Sequence, residues 1–150
     1  MIESVKKLAN RSWKKSAEIF SGQKTPGGVL VVDDNPNIRK LIRLILENDR
    51  YDVFEAEDGQ DAIDLLRSVG IDAIITDLNM PKVDGYEVIA YCKREYPKIP
   101  LIVLTGIADL ELATSFMRQG VTDYLVKPIN AKELTVSVAN AIARQQLSWA

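Results

Sequence analysis

The chain has 150 residues, 47% of them hydrophobic and 27% charged, the proportions of one folded domain with a short appendage and not of a disordered segment or two ordinary domains. It contains no histidine, which excludes Ser/His/Asp and Cys/His nucleophile pairs, imidazole ligands for zinc, and a phosphohistidine carried by the chain itself. The formal charge of −2 is unevenly spread: residues 1–24 hold six basic side chains against Glu3 and Glu18, so they carry +4 and the remainder −6, a balance that does not attract nucleic acid to the body.

Residues 1–24 read as a basic amphipathic helix. Val5, Leu8, Ala9, Trp13, Ala17, Ile19 and Phe20 fall on one half of a helical projection, and Lys7, Arg11, Lys14 and Lys15 on the other. Such a helix can dock on a domain, pair with its copy in a homodimer, or lie on an anionic membrane; packing or pairing is the expectation, and membrane contact is not. Thr25-Pro26-Gly27-Gly28 is a strong breaker, so the boundaries expected are a leader at 1–24, a linker at 25–28, a domain at 29–147 and a tail at 148–150.

Within the domain, short β-branched runs alternate with helical periodicity five times, the pattern of a parallel α/β sheet. The strands expected are 29–33, 52–56, 73–77, 101–105 and 124–127. Those around Val29, Ala73 and Leu101 are almost unbroken apolar runs, as strands covered on both faces require. Asn35 is placed to cap the first helix with Pro36 in its first turn, and Ile38, Leu41, Ile42 and Ile45 follow at i, i+3, i+4, i+7. Ala62, Leu65, Leu66 and Val69 repeat that spacing in the second helix, with Gly70 as its expected stop. Three further helices are read at about 85–95, 109–119 and 131–147. Met80, Met117 and Cys92 read as packing residues, and the lone cysteine fits a reducing compartment, so the cytoplasm is the expected location.

Ligands of an open parallel α/β sheet gather beyond the carboxyl ends of its strands. Asp33 and Asp34 close the first strand, Asp77 the third, Thr105 the fourth and Lys127 the fifth. Taken singly, such residues are more often helix caps or turn formers, but four strand ends carrying them together is what the ligand-placement rule predicts. Carboxylates brought together repel each other unless a cation intervenes, and an all-oxygen cluster suits Mg²⁺ before Zn²⁺. A carboxylate beside Mg²⁺, a hydroxyl and an ammonium could accept a phosphoryl group as an acyl phosphate. Asp77, alone at a central strand end, is the nucleophile chosen, with Asp33 and Asp34 better placed to hold the metal.

These residues stand in Val-Val-Asp-Asp at 31–34, Thr-Asp-Leu-Asn-Met-Pro at 76–81 followed by Asp84-Gly85, Leu-Thr-Gly at 104–106 and Tyr-Leu-Val-Lys-Pro at 124–128. In this order and spacing the chain resembles the receiver domain of two-component response regulators, over about residues 28–147. The resemblance implies a flavodoxin-like (βα)5 fold with strand order 2-1-3-4-5. It implies Asp77 as phosphoacceptor, Mg²⁺ held by Asp33, Asp34, Asp77 and the backbone carbonyl of Asn79, and Thr105 and Lys127 as phosphoryl ligands. It further implies a cis Lys127–Pro128 bond and Tyr124 as a switch aromatic that moves inward when Thr105 is drawn to the phosphoryl group. The surface so remodelled is the fourth helix, fifth strand and fifth helix.

A sensor histidine kinase or histidine phosphotransfer protein is the implied donor, with a downstream protein as the reader. Ile107, two residues past Thr105, is apolar and cannot orient an attacking water, so slow self-dephosphorylation is expected. With no output domain read after residue 147, the chain is expected to act by contact, as a switch and not as an enzyme with turnover. One alternative is a haloacid-dehalogenase-like phosphatase, though Asp33-Asp34-Asn35 lacks that family's Asp-x-Asp spacing. The other is a flavodoxin-like cofactor binder, though no Gly- or Ser/Thr-rich phosphate loop follows the first strand.

Overall fold

The computed structural model describes residues 27–80 and 84–148; the leader read at 1–24, most of the linker and the last two residues of the chain lie outside them. Five parallel strands, β1 (Gly28–Val32), β2 (Asp52–Ala56), β3 (Ala73–Thr76), β4 (Leu101–Thr105) and β5 (Asp123–Val126), form one sheet in the order β2-β1-β3-β4-β5. The helices between and after them are α1 (Pro36–Asn48), α2 (Gly59–Ser68), α3 (Gly85–Glu95), α4 (Leu110–Arg118) and α5 (Ala131–Ser148).

The sheet is apolar on both faces because both are covered. Leu30, Val32, Ile74, Leu101 and Val103 point into one cluster with Ala62, Leu66, Val88, Ile89, Cys92 and Phe116, from α2, α3 and α4. Their strand neighbours Val29, Val31, Ala73, Ile75, Ile102 and Leu104 point the other way, onto Ile42, Leu46, Leu134, Val138, Ala141 and Ile142 of α1 and α5. The period-two alternation of each strand thus feeds two cores, and each fully buried Val, Leu or Ile contributes about 1.5–3 kcal/mol.

Asn35 caps α1 as expected, accepting the Asn37 and Ile38 N–H groups at 2.9 and 3.4 Å. Asp58, Asp84 and Asp109 do the same for α2, α3 and α4, and Asn130 accepts the Glu133 N–H at the start of α5. Acidic residues at these positions also complement the partial positive charge of a helix N-terminus.

The structure corrects three local readings. The second helix stops at Ser68, and it is Val69 in extended backbone (φ −129°, ψ 159°) that turns the chain out; a glycine with positive φ follows α4 instead, at Gly120 (φ 94°). Met117 is exposed on α4, whereas Met80 packs on the core. Asp33, Asp77 and Lys127, read as last residues of strands, stand one position beyond the ends of β1, β3 and β5. That single step frees their side chains from the two packed faces.

Candidate functional site

Register brings the strand ends level. Val32 is paired with Ala56 and Thr76, Thr76 with Val103, and Thr105 with Val126. One further bond carries each chain past the sheet: Asp33 N–H to the Ala56 carbonyl, Asp77 N–H to that of Val32, and Lys127 N–H to that of Thr105. The residues after the strands therefore emerge side by side at one edge.

There the Lys127 ammonium donates to Asp33 Oδ2 at 2.8 Å and to Asp77 Oδ2 at 3.0 Å. The second oxygen of each carboxylate is held by backbone: Asp33 Oδ1 accepts the Asn35 N–H at 2.9 Å and Asp77 Oδ1 the Leu78 N–H at 2.7 Å. Asp33 and Asp77 are buried and Asp34 is exposed, yet carboxylate oxygens of all three lie within 4.8 Å of one another. Burial pushes the Asp33 carboxyl above its ordinary range, against the opposing hydrogen bonds from Lys127 and Asn35. Burial alone would depress Lys127, but its hydrogen bonds to Asp33 and Asp77 outweigh that and raise it. Two desolvated carboxylates on one ammonium, with a third alongside, leave negative charge uncompensated. Three oxygen-only ligands that converge in this way fit a hard divalent ion.

Asn79 and Asp34 line an open depression of about 410 Å³ together with Leu78, Met80, Asp84 and Tyr86, so two of the four residues expected to hold the metal border one hollow, while Asp33 and Asp77 do not line it. Thr105 is wholly buried at the end of β4, and its hydroxyl accepts the Ile107 N–H at 3.4 Å. Tyr124 sits on β5 with its ring packed against the core and its hydroxyl donating to the Ile107 carbonyl at 2.7 Å. Burial is the main cause that raises its phenol, with Tyr86, Asp109 and Asp77 adding to it. The Ile107 side chain packs on the same cluster. The Lys127–Pro128 bond is cis.

Two residues at the site were not read from the sequence. Arg39 of α1 donates to the Asp33 carbonyl at 2.7 Å and pairs with Glu55 at 3.1 Å, which ties the Asp33 loop to β2; its only sequence signal is a position one turn into the capped helix. Tyr86, which follows Asp84-Gly85, borders the depression. A second acidic group, Glu57, Asp58 and Asp61, is explained by the cap of α2, where Asp58 accepts the Asp61 N–H.

The profile of the response regulator receiver domain matches residues 29–139. The chain belongs to that family. Among its relatives, the sensor histidine kinase TmoS of Ectopseudomonas mendocina is 39% identical over 129 residues, which are 85% of this chain and 13% of the kinase. A response regulator receiver domain from Clostridium thermocellum is 34% identical, with a TM-score of 0.75 over 81% of this chain and 98% of that one. The response regulator TrrA of Thermotoga maritima, solved with Mg²⁺ and BeF, is 30% identical with a TM-score of 0.70, over 77% and 98%. The chain spans from 13% to about half the length of the first curated relatives it matches.

Receiver domains are phosphorylation-dependent switches of two-component systems that bind Mg²⁺ through acidic residues. The five-stranded sheet with its order is the fold expected for this receiver. Among the described residues no helix is long and apolar enough to cross a membrane.

Proposed function

We propose that this receiver accepts a phosphoryl group on Asp77 from a phosphohistidine of a sensor kinase or phosphotransfer protein, and that Asp33, Asp34, Asp77 and the Asn79 carbonyl hold the Mg²⁺ it requires. The observation that supports this most directly is the Lys127 ammonium shared by Asp33 and Asp77, 2.8 and 3.0 Å away, with Asp34 in the same carboxylate cluster. In the transfer, a carboxylate oxygen of Asp77 bonds to phosphorus while the P–N bond breaks, and the departing imidazole keeps the electron pair. The ion, when bound, offsets charge on the oxygens being transferred.

The chain's own residues do the rest. Leu78 N–H fixes one oxygen of Asp77, which orients the carboxylate for in-line attack. Lys127 neutralises the negative charge that gathers on the phosphoryl oxygens, and Thr105 supplies a hydroxyl to one of them. The added negative charge draws Thr105 from the Ile107 N–H and favours the packed position of Tyr124, which alters the face formed by α4, β5 and α5. A two-state element needs a bias of only a few kcal/mol for this. Domain limits of 29–147 and a cytoplasmic setting belong to the same reading, as does a long-lived acyl phosphate beside the apolar Ile107.

The test is intact mass after acetyl phosphate with Mg²⁺. One added phosphate is expected on the wild type and none on Asp77→Asn; equal phosphorylation of the two would remove Asp77 as the acceptor.

A further inference from the structure

Three rings stand in one column between the hollow and the edge of the sheet. Tyr86 at the start of α3 packs on Phe116 of α4, with centroids 5.4 Å apart and planes tilted 44°. Phe116 stacks on Tyr124 of β5 at 6.4 Å and 22°. The middle ring is buried at 3% exposure, while Tyr86 is 44% exposed and borders the depression that Asp34 and Asn79 line. At the far end the Tyr124 hydroxyl is on the Ile107 carbonyl, and the Ile107 N–H is on the Thr105 hydroxyl.

We propose that Tyr86 is a positioning residue for the switch: through Phe116 it holds the Tyr124 ring in its packed place, so that the mouth of the acidic site and β5 are coupled by aromatic contact as well as through Thr105. This rests on the reading of Tyr124 as the switch ring. Phe116 cannot retreat into the core it already fills, and Tyr86 closes the column from the solvent side. Removing the Tyr86 ring opens space above Phe116 and loosens the stack on Tyr124, while removing only its hydroxyl leaves the stack whole. If phosphorylation and the column favour the same position of Tyr124, each strengthens the other by the same factor. An aromatic pair of this kind sets that factor at about two- to tenfold.

The experiment is 19F NMR of the full chain labelled with 3-fluorotyrosine. Its five tyrosines are assigned by single Tyr→Phe variants and compared in wild type, Tyr86→Phe and Tyr86→Ala, with and without Mg²⁺ and beryllofluoride. In Tyr86→Ala the Tyr124 resonance is expected to move toward that of an exposed fluorotyrosine, and the beryllofluoride affinity to fall two- to tenfold; in Tyr86→Phe both stay at the wild-type value. A Tyr124 resonance unmoved in Tyr86→Ala, or moved as far in Tyr86→Phe, overturns the proposal, as does a shifted resonance with unchanged affinity. Those results leave the phosphoacceptor reading intact, since that stands or falls with Asp77→Asn. Should the wild type bind no beryllofluoride, the reading of the site fails first and the resonance alone decides the column.

Discussion

Lys127 is, among the described residues, the cation bonded to both buried carboxylates of the site, and its charge keeps Asp33 and Asp77 together in a place that desolvates them. Loss of one partner from such a cluster leaves like charges facing each other in low dielectric. The side chain is a fifth exposed, so Lys127→Met is expected to cost about 2 kcal/mol, less than the 3–5 kcal/mol of a fully buried pair. A divalent ion would supply the missing countercharge, so Mg²⁺ should raise the melting temperature of Lys127→Met more than that of the wild type. Thermal unfolding with and without Mg²⁺ measures both increments, and equal increments would mean that metal and lysine do not answer the same charge. Asp33, Asp77 and Lys127 were legible in the sequence because each interrupts an apolar run where a strand must end. Arg39 was not, since an arginine on an amphipathic helix has many partners available and only the tertiary fold selects the Asp33 carbonyl and Glu55.

Among the helices, α3 bears most closely on the site. A Cβ built at Gly85 would lie 2.0 Å from the Asp77 carbonyl oxygen and 2.5 Å from Leu78 Cα, backbone atoms that cannot swing aside as a side chain can. Glycine is needed here for approach and not for its dihedral freedom, because the first turn of α3 rests on the loop that bears Asp77. Gly85→Ala is expected to destabilise the domain by about 3 kcal/mol, the upper part of the range for overpacking, and to slow phosphorylation of the molecules that remain folded. Urea unfolding and the acetyl phosphate mass assay together check this, and an alanine variant with unchanged midpoint and rate would contradict it. Element positions could be read from periodicity almost throughout, since every helix here has one apolar stripe and one polar cap. The end of α2 escaped because Val69 continues the apolar spacing while its backbone is already extended; pattern records burial, and a residue can be buried on either side of a helix end.

For the molecule as a whole, two cores on opposite faces of a single sheet account for the buried apolar residues from Val29 to Ile142. Among the described residues both cores are complete between Val29 and Ile142, so a chain that starts at residue 25 is expected to unfold in one cooperative step. Its melting temperature should lie within about 3 °C of that of the full chain, the shift that roughly 1 kcal/mol produces at this size, with Mg²⁺-dependent phosphorylation retained. Differential scanning calorimetry and intact mass measure these; a truncated chain without a cooperative transition would place the leader inside the folding unit.

Asp33, Asp77 and Lys127 are far apart along the chain, with the first and last 94 positions apart and the latter two 50. They meet only where β1, β3 and β5 stand ordered in one sheet. A molecule whose sheet comes apart is therefore expected to lose the cluster with it, which ties any message it carries to an intact backbone.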